Sequence, residues 1–186
     1  EAKEGLALIN GTQFMGALGS LALFDADLVL DAAEVACALS VEALKGSIRP
    51  FDPRLQMVRP HPGQVASAAH LRGLLEGSAI VASHQTPDCH VVQDPYSLRC
   101  APQVFGAVRE GLRFAREIVE REINSATDNP LCFIESGEVI SGGNFHGQPV
   151  ALALDTAKLA LTQLGNFSER RSYRLLDATR SGLPPF

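Results

Sequence analysis

The chain has 186 residues, 46% of them hydrophobic and 20% charged, which is enough apolar material for a buried core and too little bias for a disordered tail. Its net charge of −5 comes from interspersed acids and bases, and the absence of a basic run or aromatic-interleaved stripe argues against nucleic acid as a partner. The longest apolar runs fall short of the roughly 20 residues that span a bilayer, and the opening residues do not read as an export signal.

Residues 6–12 are apolar until Asn10-Gly11, a dipeptide that favours a turn and would present the Asn10 side chain at the end of the segment. Residues 14–47 follow helical spacing through Leu21, Phe24, Leu28, Ala32, Val35 and Leu39. Their near-continuous apolar character predicts a helix buried among other helices, ended by Gly46 and Pro50. Pro50, Pro53, Pro60 and Pro62 make residues 47–63 a loop with at most a short turn. Residues 64–75 read as a second helix, and 77–88 as its frayed continuation and a turn.

The next stretch is Val92-Gln93-Asp94-Pro95-Tyr96-Ser97-Leu98-Arg99-Cys100. Asp94 is suited to cap a helix and Pro95 to occupy its first turn. Gln93, Tyr96 and Arg99 recur every three residues and would share one broad face. Pro102 breaks or restarts the helix. Residues 103–123 form a strong amphipathic pattern, with Val104, Val108, Leu112, Ala115, Val119 and Ile123 on one side and Arg109, Arg113, Arg116, Glu117 and Glu120 on the other. A polar loop at 124–130, a hairpin around Ser136-Gly137 within 131–140 and a glycine-rich turn at 141–147 come next. Pro149 then opens a long helix reaching Arg174 through Val150, Leu154, Ala157, Leu161 and Leu164. The fold expected is mainly α, with long helices packed in a bundle and joined by Gly/Pro-rich polar loops.

An arginine grips a carboxylate through two parallel hydrogen bonds, and a phenol beside it can donate, accept or move a proton. From spacing alone, Gln93, Tyr96 and Arg99 are either such a site or a capped surface helix with a solvated arginine. Polar groups also crowd glycine in Asn10-Gly11-Thr12, in 124–129 and in 142–146, where close approach to the backbone is possible. Gly142-Gly143-Asn144-Phe145-His146-Gly147 lacks the Lys-Ser/Thr of a phosphate cradle. His146 reads as a general base or a cap, and no Ser-His-Asp arrangement emerges from spacing. Four separated cysteines (Cys37, Cys89, Cys100, Cys132) make no CxxC pair, so reduced thiols in a cytoplasmic protein are the economical reading. The five histidines lack metal-ligand spacing, and His84, Cys89 and His90 make a poor zinc set, so no metal is expected. The apolar stretches close to Glu1 and Phe186 suggest a piece cut from a longer polypeptide.

Six stretches occur in an order that resembles the aromatic amino-acid ammonia-lyases and aminomutases: Leu8-Ile9-Asn10-Gly11-Thr12-Gln13, Arg59-Pro60-His61-Pro62-Gly63-Gln64, residues 92–100, residues 124–131, residues 141–147 and Ser168-Glu169-Arg170-Arg171. Val-Gln-Asp-Pro-Tyr-Ser-Leu-Arg-Cys resembles the histidine branch. The resemblance covers essentially the whole chain. It implies the central segment of a larger helical lyase domain and a homotetramer with active sites shared between subunits. It also implies elimination of ammonia from L-histidine to give trans-urocanate, using a methylidene-imidazolone (MIO) electrophile built from an Ala-Ser-Gly tripeptide. Phenylalanine or tyrosine lyase, aminomutase and non-catalytic helical scaffold remain alternatives. Residue by residue, Asn10 matches an asparagine beside the MIO group, and Leu6 a pocket-lining position one turn earlier. Gln93 matches a polar group near substrate, Tyr96 a tyrosine at the reaction centre and Arg99 the carboxylate-binding arginine. Asn129 matches a substrate-contacting asparagine and Phe145 an aromatic near the MIO ring. Two features depart from the pattern: the chain contains no Ala-Ser-Gly, and Gln148 stands where relatives commonly carry glutamate.

Overall fold

A computed structural model describes residues 3–85 and 92–184. Cys89 and His90, and the end of the expected 77–88 turn, lie outside the described residues. The secondary structure is mainly α-helical. In chain order the helices are α1 (Glu4–Ile9), α2 (Gln13–Ala43), α3 (Pro53–Met57), α4 (Pro62–Leu75), α5 (Ala79–His84), α6 (Tyr96–Arg99) and α7 (Ala101–Glu122). The hairpin β1 (Leu131–Phe133) and β2 (Glu138–Ile140) follows, then α8 (Gln148–Leu176) and α9 (Ala178–Ser181). The strands pair antiparallel with Cys132 opposite Val139, so the expected hairpin turns at Ser136-Gly137. The 47–63 stretch holds more structure than its prolines suggest: a 3-10 turn at Arg49–Phe51 precedes α3, whose first turn is capped by the Asp52 carboxylate accepting from the Arg54 N–H at 2.8 Å. Proline is welcome there because a helix's first N–H groups have no partner inside the helix. Likewise α5 is a separate helix rather than frayed α4, since the Ser78 hydroxyl accepts from the Val81 N–H and starts it afresh.

The chain divides into two compact units, one of Glu1–Ala26 and Gly111–Lys158, the other of Asp27–Glu110 and Leu159–Phe186. In the first, Leu112, Ala115 and Val119 of α7 are buried along with Leu23, Val150, Ala153 and Ala157. In the second, the buried set includes Leu30, Cys37, Val41, Phe51, Leu71, Leu98, Phe105 and Val108. Here α4 and α7 cross with their backbones almost touching: a Cβ on Gly106 would lie 2.3 Å from the Gln64 nitrogen, and one on Gly63 2.2 Å from the Gly106 oxygen. Only glycine fits both sides of that crossing. Burial pushes the Cys37 thiol up to about 11.

The apolar face chosen for burial on α2 differs from the one read in the sequence. Leu21, Phe24, Leu28, Val35 and Leu39 are 42–66% exposed, and Ala32 is exposed too. The buried stripe is Leu23, Ala26, Leu30, Cys37, Ala38 and Val41. A helix apolar on nearly all sides offers several possible faces, and the smaller side chains allow the closer packing. On the same helix a carboxylate is fully buried. Glu34 Oε2 accepts from Arg109 Nη2 at 2.7 Å and meets His70 Nδ1, while Asp31 accepts from the same Arg109 nitrogen. The Asp31, Glu34 and His70 ligand atoms lie close enough together for a cation, but the Arg109 guanidinium already binds both carboxylates.

Candidate active site

The seven candidate residues fall into two groups, one in each unit. Leu6, Asn10, Asn129 and Phe145 belong to the first and Gln93, Tyr96 and Arg99 to the second.

In the first group the organising residue is Asp128, which sequence reasoning did not single out. Its Oδ1 accepts from Asn10 Nδ2 at 2.9 Å and from the Asn129 N–H at 2.7 Å, while Oδ2 pairs with Lys3. The Lys3 contact, then the Asn10 and Asn129 bonds, hold the Asp128 carboxyl down to about 2. Asn10 ends α1, its N–H bonded to the Leu6 carbonyl at 2.8 Å, which sets Leu6 one turn away with its side chain exposed. Gly11 turns the chain with φ +123°, and any Cβ there would strike the Thr127 oxygen at 1.9 Å. Glycine is thus what lets the Asn10 turn lie against the 124–130 loop. The Thr12 hydroxyl donates to Glu122 Oε1 at 2.6 Å and ties down the next residue. Asn129 spends its carboxamide oxygen on the Gly142 N–H and the Ser141 hydroxyl, closing the base of the hairpin and leaving its amide nitrogen to reach a ligand. Phe145 is exposed on the glycine-rich turn.

In the second group the structure corrects the local geometry. Asp94 does not cap α6: its Oδ2 accepts from the Ser47 N–H at 2.7 Å, and Pro95 takes the cap position without a side-chain bond. The carboxylate therefore ties this stretch to the end of α2. Gln93 precedes the helix, so the three residues do not share a helical face. Gln93 and Arg99 instead line one cavity of ≈ 850 Å³, together with Lys45, Arg49, His84 and Gln103. Tyr96 joins them through Arg99, whose guanidinium carbon lies 4.5 Å from the centre of the Tyr96 ring. This stacking satisfies one face of the guanidinium and leaves its nitrogen edge to bind anions. Buried Leu98 anchors the short helix from below. His84 faces the carbonyls of Ile80 and Gly46 with its two ring nitrogens, at 2.8 and 2.9 Å.

Two side-chain arrangements thus stand out on the helical frame, Arg99 stacked on Tyr96 in one unit and Asn10 held by Asp128 at a helix end in the other. The family model for aromatic amino acid lyases matches residues 1–186, and the chain belongs to that family. It is 58% identical to a histidine ammonia-lyase of Anaeromyxobacter sp. (strain K), over 100% of this chain and 37% of that protein. It is 61% identical to a histidine ammonia-lyase of Stigmatella aurantiaca, over 100% of this chain and 36% of that protein. Among solved structures, histidine ammonia-lyase from Trypanosoma cruzi superposes with a TM-score of 0.86 at 45% identity, covering 99% of this chain and 33% of that one. Tyrosine aminomutase from Streptomyces globisporus gives 0.91 at 44%, covering 99% and 38%. The chain thus spans about a third of the length of the relatives it matches.

Proposed function

We propose that the complete protein is a histidine ammonia-lyase, releasing ammonia from L-histidine to form trans-urocanate, and that this chain is the central part of its helical domain. The observation carrying the reading is the 55–61% identity to histidine ammonia-lyases across the entire chain. Backbone similarity alone does not choose the substrate, because aminomutases superpose equally well.

In this reading Arg99 binds the substrate carboxylate through its nitrogen edge, the Tyr96 ring holding the guanidinium plane from one side. Gln93 offers an amide to the bound amino acid from the same cavity. The Tyr96 hydroxyl carries a proton at the reaction centre. Asn10, fixed by Asp128, and exposed Phe145 supply an oriented amide and an aromatic surface, a donor set that fits a small polar-edged heterocycle such as the family's MIO group. When bound, that group supplies an electrophile; its Ala-Ser-Gly precursor is not in this chain. Asn129 and Leu6 complete the surround. We further propose a cytoplasmic homotetramer in which Asn10 serves one active centre while Tyr96 and Arg99 serve another. The exposed apolar residues of α2 support burial against further protein, and among the described residues no helix is long and apolar enough to cross a membrane.

The test is a substrate panel on the complete protein, following urocanate or the corresponding aryl acrylate by ultraviolet absorbance. L-Histidine is expected to be consumed in strong preference to L-phenylalanine and L-tyrosine. Preference for either aromatic amino acid, or for β-amino acid formation, overturns the assignment.

A further inference from the structure

Two residues that line the Arg99 cavity each bury a polar atom with no hydrogen-bond partner among the described residues. One is Arg99 Nε, which can only donate, and the other is Gln103 Oε1, which can only accept. They are four residues apart in the chain, on either side of the short α6–α7 junction: Arg99 ends α6, Gln103 lies in the first turn of α7, and the Val104 N–H bonds to the Cys100 carbonyl at 3.2 Å. Both residues line the same cavity. A buried donor and a buried acceptor left unmet in two residues of one cavity wall are each costly, and their pairing would relieve both. Among the described residues, Asp94 is the one carboxylate lining this cavity, and its Oδ2 accepts from the Ser47 N–H.

We propose that Gln103 is a positioning residue for substrate binding: when a carboxylate is seated, Gln103 Oε1 accepts the Arg99 Nε–H and fixes the guanidinium fork. This rests on the reading of Arg99 as the carboxylate clamp. Stacking on Tyr96 sets the plane of the guanidinium but leaves it free to turn within that plane. A bond at Nε removes that freedom and aims the two terminal nitrogens together at a carboxylate, the geometry a bidentate pair requires. The amide explains the choice of residue. Glutamine supplies an acceptor without cancelling the positive charge that the substrate carboxylate needs, whereas a glutamate would compete for it.

The experiment uses the complete enzyme with L-histidine and compares Gln103→Met, Arg99→Lys and the double variant. Gln103→Met keeps the side chain's length and removes its acceptor, so KM should rise about 10-fold with kcat within about 2-fold, as expected when an interaction holding the bound ground state is lost. Lysine has no nitrogen at the Nε position to be held by Gln103. In the Arg99→Lys background, adding Gln103→Met should therefore leave KM unchanged. An unchanged KM in Gln103→Met, or a full 10-fold effect persisting on top of Arg99→Lys, overturns the role of Gln103. An unchanged KM in Arg99→Lys alone overturns the clamp itself, so the two failures are separable. Should Gln103→Met not fold, Gln103→Glu retains size and acceptor and is expected to raise KM by competing with substrate; equality with wild type contradicts the proposal.

Discussion

At the scale of single residues, Asp128 shows how one carboxylate fixes a site from behind. It holds Lys3, the Asn10 amide and the Asn129 N–H at once, and these contacts lower its pKa from 3.8 to about 2. A group whose folded pKa is depressed stabilises the folded state above its unfolded pKa and loses that contribution as pH falls toward the folded value. In the complete protein, the stability difference between wild type and Asp128→Asn is therefore expected to be constant above about pH 5 and to shrink as pH falls through 3.8 toward about 2. Thermal unfolding across that window checks it, and a difference that does not change with pH contradicts it. The sequence could not nominate Asp128, because its two side-chain partners stand 118 and 125 residues away and nothing local marks them. Asp94 failed in the opposite sense. Its position before Pro95 is a sound capping signal, yet a backbone N–H 47 residues earlier in the chain, on Ser47, claims the carboxylate.

At the scale of elements, periodicity was readable wherever polar residues marked one face. In α7 the buried Val108, Leu112, Ala115 and Val119 follow the expected stripe because charged residues define its opposite side. In α2 apolar residues recur on several sides, so the sequence identified an apolar helix without showing which side packs within the chain. The short α3 and α5 escaped notice because prolines and a serine that look like breakers act at their first turns. The α4–α7 crossing makes a sharp demand on sequence. Gly106→Ala forces a Cβ to within 2.3 Å of backbone at Gln64, which cannot move as a side-chain tip can, and should destabilise by about 3 kcal/mol. Gly73→Ala on the exposed side of α4 meets nothing within 4 Å and should stabilise by about 0.5–1 kcal/mol. Denaturant midpoints of the two variants should therefore move in opposite directions; parallel shifts contradict the crossing.

At the scale of the whole molecule, membership of the lyase family follows from residues dispersed over the entire chain, which is why six ordered motifs were informative where each alone was ambiguous. The candidate residues divide between two units, Leu6, Asn10, Asn129 and Phe145 in one and Gln93, Tyr96 and Arg99 in the other. Because Ala-Ser-Gly is not among its residues, the 186-residue chain alone is expected to release no urocanate from L-histidine, and any enzyme-dependent rise in ultraviolet absorbance contradicts that. The most direct measurement of the central claim is steady-state kinetics of Arg99→Ala in the complete enzyme. On the proposal that Arg99 anchors the substrate carboxylate, its removal should raise KM for L-histidine at least 10-fold, roughly 1.5–3 kcal/mol for a charge-assisted hydrogen bond. A KM equal to that of wild type would show that Arg99 does not hold the carboxylate.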